Sequence, residues 1–192
     1  MTSITYRYFL AFLPDRALRC ELTRLCRITG QLDKRIRPEH FHLTLCVIAE
    51  YGQRDRFIAR RLDTFDGRLP ASCLIWLGKV RGGRNGATVC TIGRQHEIQA
   101  FYRALIGLLA QLRIAPLHRK SGFRPHVTLG YDRSDVDPFH VLWGWVPGEL
   151  VLIESEVGNG IHNVLRRWPL QPPPQGLLPF DSGLPLLLRR AA

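Results

Sequence analysis

The chain has 192 residues, 45% of them hydrophobic and 22% charged, which are the proportions of an ordinary globular protein able to bury a core of its own. No run of 18 apolar residues occurs, and the opening Met1-Thr-Ser-Ile-Thr-Tyr-Arg7 lacks the basic-then-apolar order of a secretory signal. A membrane span and export are therefore not expected, and the expected location is the cytoplasm. The 27 basic and 16 acidic residues give a net charge of +11 and a pI near 10.2, a balance that favours polyanionic partners. Only Lys34, Lys79 and Lys120 are lysines; an arginine excess suits bidentate phosphate contacts but also follows from GC-rich coding, so only the sign of the charge is used. The five cysteines (Cys20, Cys26, Cys46, Cys73 and Cys90) are odd in number and form no Cys-x-x-Cys spacing. They read as reduced thiols, mostly small core residues.

Thr5 to Leu13 is aromatic-rich and apolar, stops at Pro14-Asp15, and reads as a buried strand. Asp15 can cap a following helix whose Leu18, Leu22, Leu25 and Ile28 recur at spacings of three and four until Gly30. A basic, Pro-broken loop over Lys34 to Pro38 leads to a second strand, His40 to Ile48. A short helix is expected over Asp55 to Phe65, then a strand over Ser72 to Val80. Asn85-Gly86 marks a hairpin into Ala87 to Ile92. From Gln95 to Leu112, Ile98, Phe101, Leu105, Leu108, Leu109 and Leu112 keep helical spacing, with Pro116 beyond. A basic loop from Leu117 to Arg124 precedes a strand at His126 to Tyr131, and two more strands are expected over Glu149 to Val157 and Asn163 to Trp168. Trp143, Trp145 and Trp168 read as packing residues. Residues 1–170 are expected to form one bilobal domain, with 171–192 a Pro-rich, extended or partly disordered tail. This order suggests an α+β fold with helices on one side of a largely antiparallel sheet.

One tetrapeptide pattern recurs: His42-Leu-Thr-Leu45 and His126-Val-Thr-Leu129, 84 positions apart, each in an expected strand after a long helix and a basic, Pro-containing loop. Side chains alternate along a strand, so each copy packs its aliphatic pair on a core and presents one imidazole and one hydroxyl on the other face. A single His-x-Thr carries little weight. Two matched copies suggest an internal duplication that lines one cleft with two histidines, suited to paired acid and base work near neutral pH, and two threonines able to donate to anionic oxygens.

The sequence resembles the 2H phosphoesterase superfamily, whose signature is two His-x-Thr/Ser motifs, and within it the RNA 2′,3′-cyclic phosphodiesterase or 2′-5′ RNA ligase group. The resemblance is carried by Arg7-Tyr-Phe-Leu-Ala-Phe-Leu-Pro14, His40-Phe-His-Leu-Thr-Leu45, Phe123-Arg-Pro-His-Val-Thr-Leu129, Leu150-Val-Leu-Ile-Glu-Ser155 and Val164-Leu-Arg-Arg-Trp-Pro-Leu170. It implies a two-lobed α+β fold with pseudo-twofold symmetry, largely antiparallel sheets, helices on the outer faces and a central cleft. It further implies hydrolysis of a 2′,3′-cyclic phosphate to a 2′-phosphomonoester, at RNA ends or on nucleotides, with no metal or other cofactor. One departure stands out: many members of the group carry a basic residue two positions after the Leu of the second motif, where this chain has Tyr131. Arg124 is a candidate source of the missing charge, and Tyr131 and Phe9 are candidate substrate contacts.

The chemistry fits these residue types. Hydrolysing a cyclic phosphate takes a base to activate water and an acid in line opposite to protonate the departing ribose oxygen. His42 and His126 suit these roles, with Thr44 and Thr128 at the nonbridging oxygens. The pseudo-symmetry leaves the roles interchangeable; the resemblance favours His42 as acid and His126 as base. A zinc hydrolase using His40, His42 and His126 is one alternative, and a noncatalytic RNA-binding protein another; 2′-5′ ligation is the reverse reaction of the same groups. His96, His118, His140 and His162 lack a partner motif and default to surface or loop roles. The chain is expected to act as a monomer, without a membrane partner.

Overall fold

The computed structural model describes residues 4–30, 37–117 and 122–174. Among these residues eight strands are present: β1 (Tyr6–Phe12), β2 (Leu43–Tyr51), β3 (Ile75–Arg81), β4 (Ala87–Thr91), β5 (His126–Gly130), β6 (Phe139–Trp145), β7 (Glu149–Glu156) and β8 (Ile161–Pro169). The helices are α1 (Arg16–Ile28), the single turn α2 (Ile58–Arg61) and α3 (His96–Gln111). The strands form one antiparallel sheet in the order β6-β3-β4-β5-β2-β1-β7-β8. The chain is thus α+β as its sequence implies, but the two lobes are halves of a continuous sheet.

Local sequence explains the helices. The Asp15 carboxylate accepts from the Leu18 amide at 2.8 Å, an N-cap bond of the kind worth about 1 kcal/mol. Gly30, at φ 68°, then turns the chain off the end of α1. Leu18, Leu22, Leu25 and Cys26 of α1 are buried in the same cluster as Ile98, Phe101, Leu105 and Leu109 of α3. Both helices therefore cover one face of the sheet, against Tyr8, Leu10 and Phe12, Leu43 and Leu45, and Val127 and Leu129. The opposite face carries only a small apolar floor of Phe9, Ala11, Val151 and Ile153.

The order of elements is pseudo-symmetric about the seam between β2 and β5. One half contains β1-α1-β2 and the other β4-α3-β5, with β7 and β8 outside the first and β3 and β6 outside the second. The seam is narrow: β2 and β5 pair at Leu43↔Val127 alone. Each half is thus tightly laddered within itself and joined to the other where the two motifs lie.

Several boundaries differ from expectation. Pro38–His40 is a 3-10 turn and the strand starts only at Leu43, so both His40 and His42 precede β2; the proline fixes a backbone suited to a turn start. The expected Asp55 to Phe65 helix is broken into α2 and a 3-10 turn at Asp63–Phe65. Edge strand β6 was not anticipated, although Val141, Trp143 and Trp145 are buried in alternation with His140, Leu142 and Gly144. Trp143, Trp145 and Trp168 do pack in the core. Of the expected tail, Gln171 accepts from the Ser72 amide at 2.8 Å and Pro173 is buried, while 175–192 lie outside the described residues.

Candidate active site

The seam fixes how the two motifs meet. Leu43 pairs with Val127; extended by one residue to each side, that antiparallel register sets His42, immediately before β2, opposite Thr128 and Thr44 opposite His126, so each histidine faces the threonine of the other copy. Leu43, Leu45, Val127 and Leu129 are at most 4% exposed, and the half-buried His42, Thr44, His126 and Thr128 stand together on the open face. The two histidines are diagonal neighbours, a relation that separates backbones by about 7–8 Å. A phosphate group fits between side chains that converge from such positions.

Both imidazoles are held in the same way. Nδ1 of His42 donates to the carbonyl of His40 at 2.6 Å, and Nδ1 of His126 donates to the carbonyl of Arg124 at 2.8 Å. A carbonyl only accepts, so Nδ1 carries hydrogen in both rings and Nε2 is left as the working nitrogen: a lone pair when the ring is neutral, a proton when it is charged. The duplication therefore extends from residue type to tautomer.

The environments of the two rings differ. Burial, followed by the neighbouring His126 and His40, pushes the His42 pKa down to about 4, against the opposing pull of its bond to the His40 carbonyl. The Phe9 ring lies 4.9 Å from the His42 ring, and His162 of β8 meets His42 edge-on at 5.3 Å, His40 at 5.1 Å and Phe9 at 6.1 Å. Burial likewise pushes His162 down to about 4, with His42 and His40 adding to the effect. Nδ1 of His162 and Nδ1 of His40 are buried without a hydrogen-bond partner among the described residues. A cavity of about 970 Å³ crosses the seam from Thr44 to Val47 of β2 past His126 and runs over β4 and β3.

No family model matches the sequence, and no curated protein matches it at a significant level. Solved structures do. The chain superposes on E. coli LigT complexed with 3′-AMP at a TM-score of 0.66 and 20% identity, covering 86% of this chain and 98% of that one. This is the fold of E. coli LigT. A structure described as a phosphoesterase matches at TM-score 0.63 and 20% identity, and TT0787 of Thermus thermophilus at 0.62 and 18%; each covers 86% of this chain and is itself covered over 98%. LigT was also solved with phosphate and with ATP.

On this LigT-like fold, the structure brings together His42, His126, Thr44 and Thr128. Arg124 is exposed and lines the cavity. Tyr131 does not join them: it follows the last residue of β5, is 51% exposed and is not part of the cavity wall, because two residues on from Leu129 its position falls on the helix side of the strand. Phe9 is on the site face but only 4% exposed; it supports the His42 ring and offers no free face for stacking. The zinc alternative asks His40, His42 and His126 to act as one ligand set. Among the described residues no group of three or more His, Cys, Asp or Glu side chains has the arrangement of a metal site.

One histidine needs correction: His162 is packed into the site against His42 rather than taking a surface or loop role, while His140 is exposed, as expected, on the wall of the cavity. No local motif marks them. They arrive through sheet register, with His162 opposite Ser155 and His140 opposite Lys79. His96 begins α3 and is exposed, and His118 lies outside the described residues.

Proposed function

We propose that this protein is a metal-independent 2′,3′-cyclic phosphodiesterase that opens the cyclic phosphate at RNA ends to a 2′-phosphomonoester. The observation that carries the reading is the matched pair of His-x-Thr motifs, set across one seam with both Nδ1 atoms bonded to the carbonyl two residues back. The LigT-like fold supports a phosphoester-directed role, and the nucleotide complexes of LigT support a nucleotide substrate.

The mechanism follows from the two free Nε2 atoms. His126 removes a proton from water as it attacks phosphorus, and His42 delivers a proton to the ribose 3′ oxygen as the ring opens; each transfer is worth roughly 10² to 10⁴ in rate. Thr44 and Thr128 donate to the nonbridging oxygens where charge accumulates. His42 is neutral at pH 7 in the unliganded protein, so the bound phosphate anion must draw a proton onto it, and binding is linked to proton uptake. The same groups, in the same roles, run 2′-5′ ligation when a 5′-hydroxyl replaces water: His126 takes the hydroxyl proton as its oxygen bonds to phosphorus, the bond to the 3′ oxygen breaks, and His42 protonates that oxygen.

Incubation of the full chain with 2′,3′-cyclic nucleotides and with RNA ending in a cyclic phosphate, with and without EDTA, tests the reading by the ³¹P spectrum of the product. The expected product is the 2′-phosphomonoester in both arms. A 3′-phosphate product, or activity abolished by EDTA and restored by zinc, would overturn it.

A further inference from the structure

The open face of the sheet is electrostatically lopsided. In the half built on β1, β2, β7 and β8, the floor is the apolar set Phe9, Ala11, Val151 and Ile153, and the arginines beside it are neutralised: Arg7 by Glu50 and Arg167 by Glu149. In the other half the wall of the 970 Å³ cavity contains Lys79, Arg81, Arg94 and Arg124 and no Asp or Glu. None of these four cations has a side-chain hydrogen bond or ion pair among the described residues. Among the described residues these four positive charges around one concavity repel each other without internal compensation, which is the arrangement of a site completed by an anion from outside.

Sheet register places these charges relative to the motifs. His126 pairs with Cys90 and Cys90 with Lys79, so Lys79 lies on the same rung as His126, two strands away. Thr128 pairs with Thr88 and Thr88 with Arg81, which puts Arg81 on the rung of Thr128. Two strand spacings are about 10 Å. A phosphate held at the histidine pair thus leaves the charged ends of Lys79 and Arg81 free to meet the next phosphate along a nucleotide. The small Thr88 and Cys90 between them leave the path open.

We propose that this cavity is a subsite for the phosphate on the 5′ side of the nucleotide whose cyclic phosphate sits between His42 and His126, with Lys79 and Arg81 as its principal cations and Arg94 and Arg124 at its rim. The inference rests on the cyclic phosphodiesterase reading and adds to it a substrate class: nucleotides that carry a 5′ phosphate, either a free monoester or the phosphodiester of a longer RNA. It also gives the substrate a direction, with the upstream backbone running over β4 and β3 and away from the apolar half.

Three substrates test it on the full chain: a 2′,3′-cyclic nucleoside phosphate with a 5′-hydroxyl, the same compound bearing a 5′-phosphate, and a trinucleotide ending in a 2′,3′-cyclic phosphate. In the Lys79→Ala/Arg81→Ala double variant, kcat/KM for the 5′-phosphorylated substrates should fall about tenfold or more beyond any fall for the 5′-hydroxyl compound, through KM. The charge-keeping Lys79→Arg/Arg81→Lys variant should retain most of the preference, which separates a lost contact from a damaged fold. A selective loss on both phosphorylated substrates assigns the subsite to any 5′ phosphate, and a loss on the trinucleotide alone assigns it to the phosphodiester. An equal effect on all three overturns the proposal. If the wild-type chain turns over none of them, the enzymatic reading fails by itself. Anisotropy of a fluorescent trinucleotide then decides the subsite: unchanged affinity in the alanine variant overturns it, whereas weaker binding with a salt slope shallower by about 0.7 per lost phosphate contact upholds it.

Discussion

A main-chain carbonyl two residues back holds Nδ1 of His42 and Nδ1 of His126, so the tautomer is set by backbone that the Pro38–His40 turn and the Arg124-Pro125 approach position before each strand begins. His162 is the residue that distinguishes the two sites, since it stands against His42 and has no counterpart packed on His126 among the described ring contacts. With His42 and His162 both pushed down to about 4, the folded state binds fewer protons than the unfolded chain below its ordinary histidine value of about 6.5. Stability from these groups is therefore complete above about pH 6.5 and is lost as pH falls towards 4. The fall in thermal midpoint between pH 7.5 and pH 5 should be smaller in His162→Phe than in the wild type, read as a difference within each protein so that a constant packing effect cancels. A fall as steep in the variant would show that His162 is not buried as a neutral ring. Residue-scale reading of the sequence located His42, Thr44, His126 and Thr128 because the duplicated spacing is local. It missed His162 because nothing within its own segment, Ile161 to Trp168, refers to the strands it meets.

The elements show the same division between local and distant causes. Alternation and capping marked β1, α1, β2 and α3 to within a few residues, and Asn85-Gly86 marked the β3–β4 hairpin. β6 escaped because Gly144 interrupts its β-favouring run and because its place at the sheet edge is defined only by pairing with β3. Gly144 itself is required there: a Cβ would come within 2.9 Å of the Trp76 ring. Gly86 matters more to the site. It adopts φ 109°, and a Cβ would collide with the Gly130 carbonyl oxygen, at the end of the strand that carries His126 and Thr128. Gly86→Ala must push β4 from β5, and is expected to lower stability by about 1–3 kcal/mol from backbone strain alone and to reduce phosphodiesterase activity of the folded fraction. Denaturant melts paired with activity per folded molecule check both; a variant of unchanged stability would contradict the close approach.

Across the whole molecule, one fold carries two versions of one strand-helix-strand unit, joined at the Leu43–Val127 rung and the Val47–Leu117 bridge. The symmetry puts chemically alike motifs on both sides of the seam, while the open faces diverge: an apolar floor with His162 in one half, and in the other a cavity wall whose Lys79, Arg81, Arg94 and Arg124 have no ion-pair partner among the described residues. The architecture and the motif pair were legible from sequence because the duplication is written in the residues; the charge asymmetry was not, because +11 is a sum over the whole chain and only the register separates paired arginines from unpaired ones. The central claim is that His42 and His126, supplied by different halves, act on one phosphorus. Turnover of a 2′,3′-cyclic nucleotide by His42→Ala, His126→Ala and the double variant, each verified as folded, tests this most directly. Each single substitution should lower kcat by roughly 10² or more, and the double variant should lose far less than the product of the two single losses. Near wild-type turnover in either single variant, or fully multiplicative losses in the double, would contradict it.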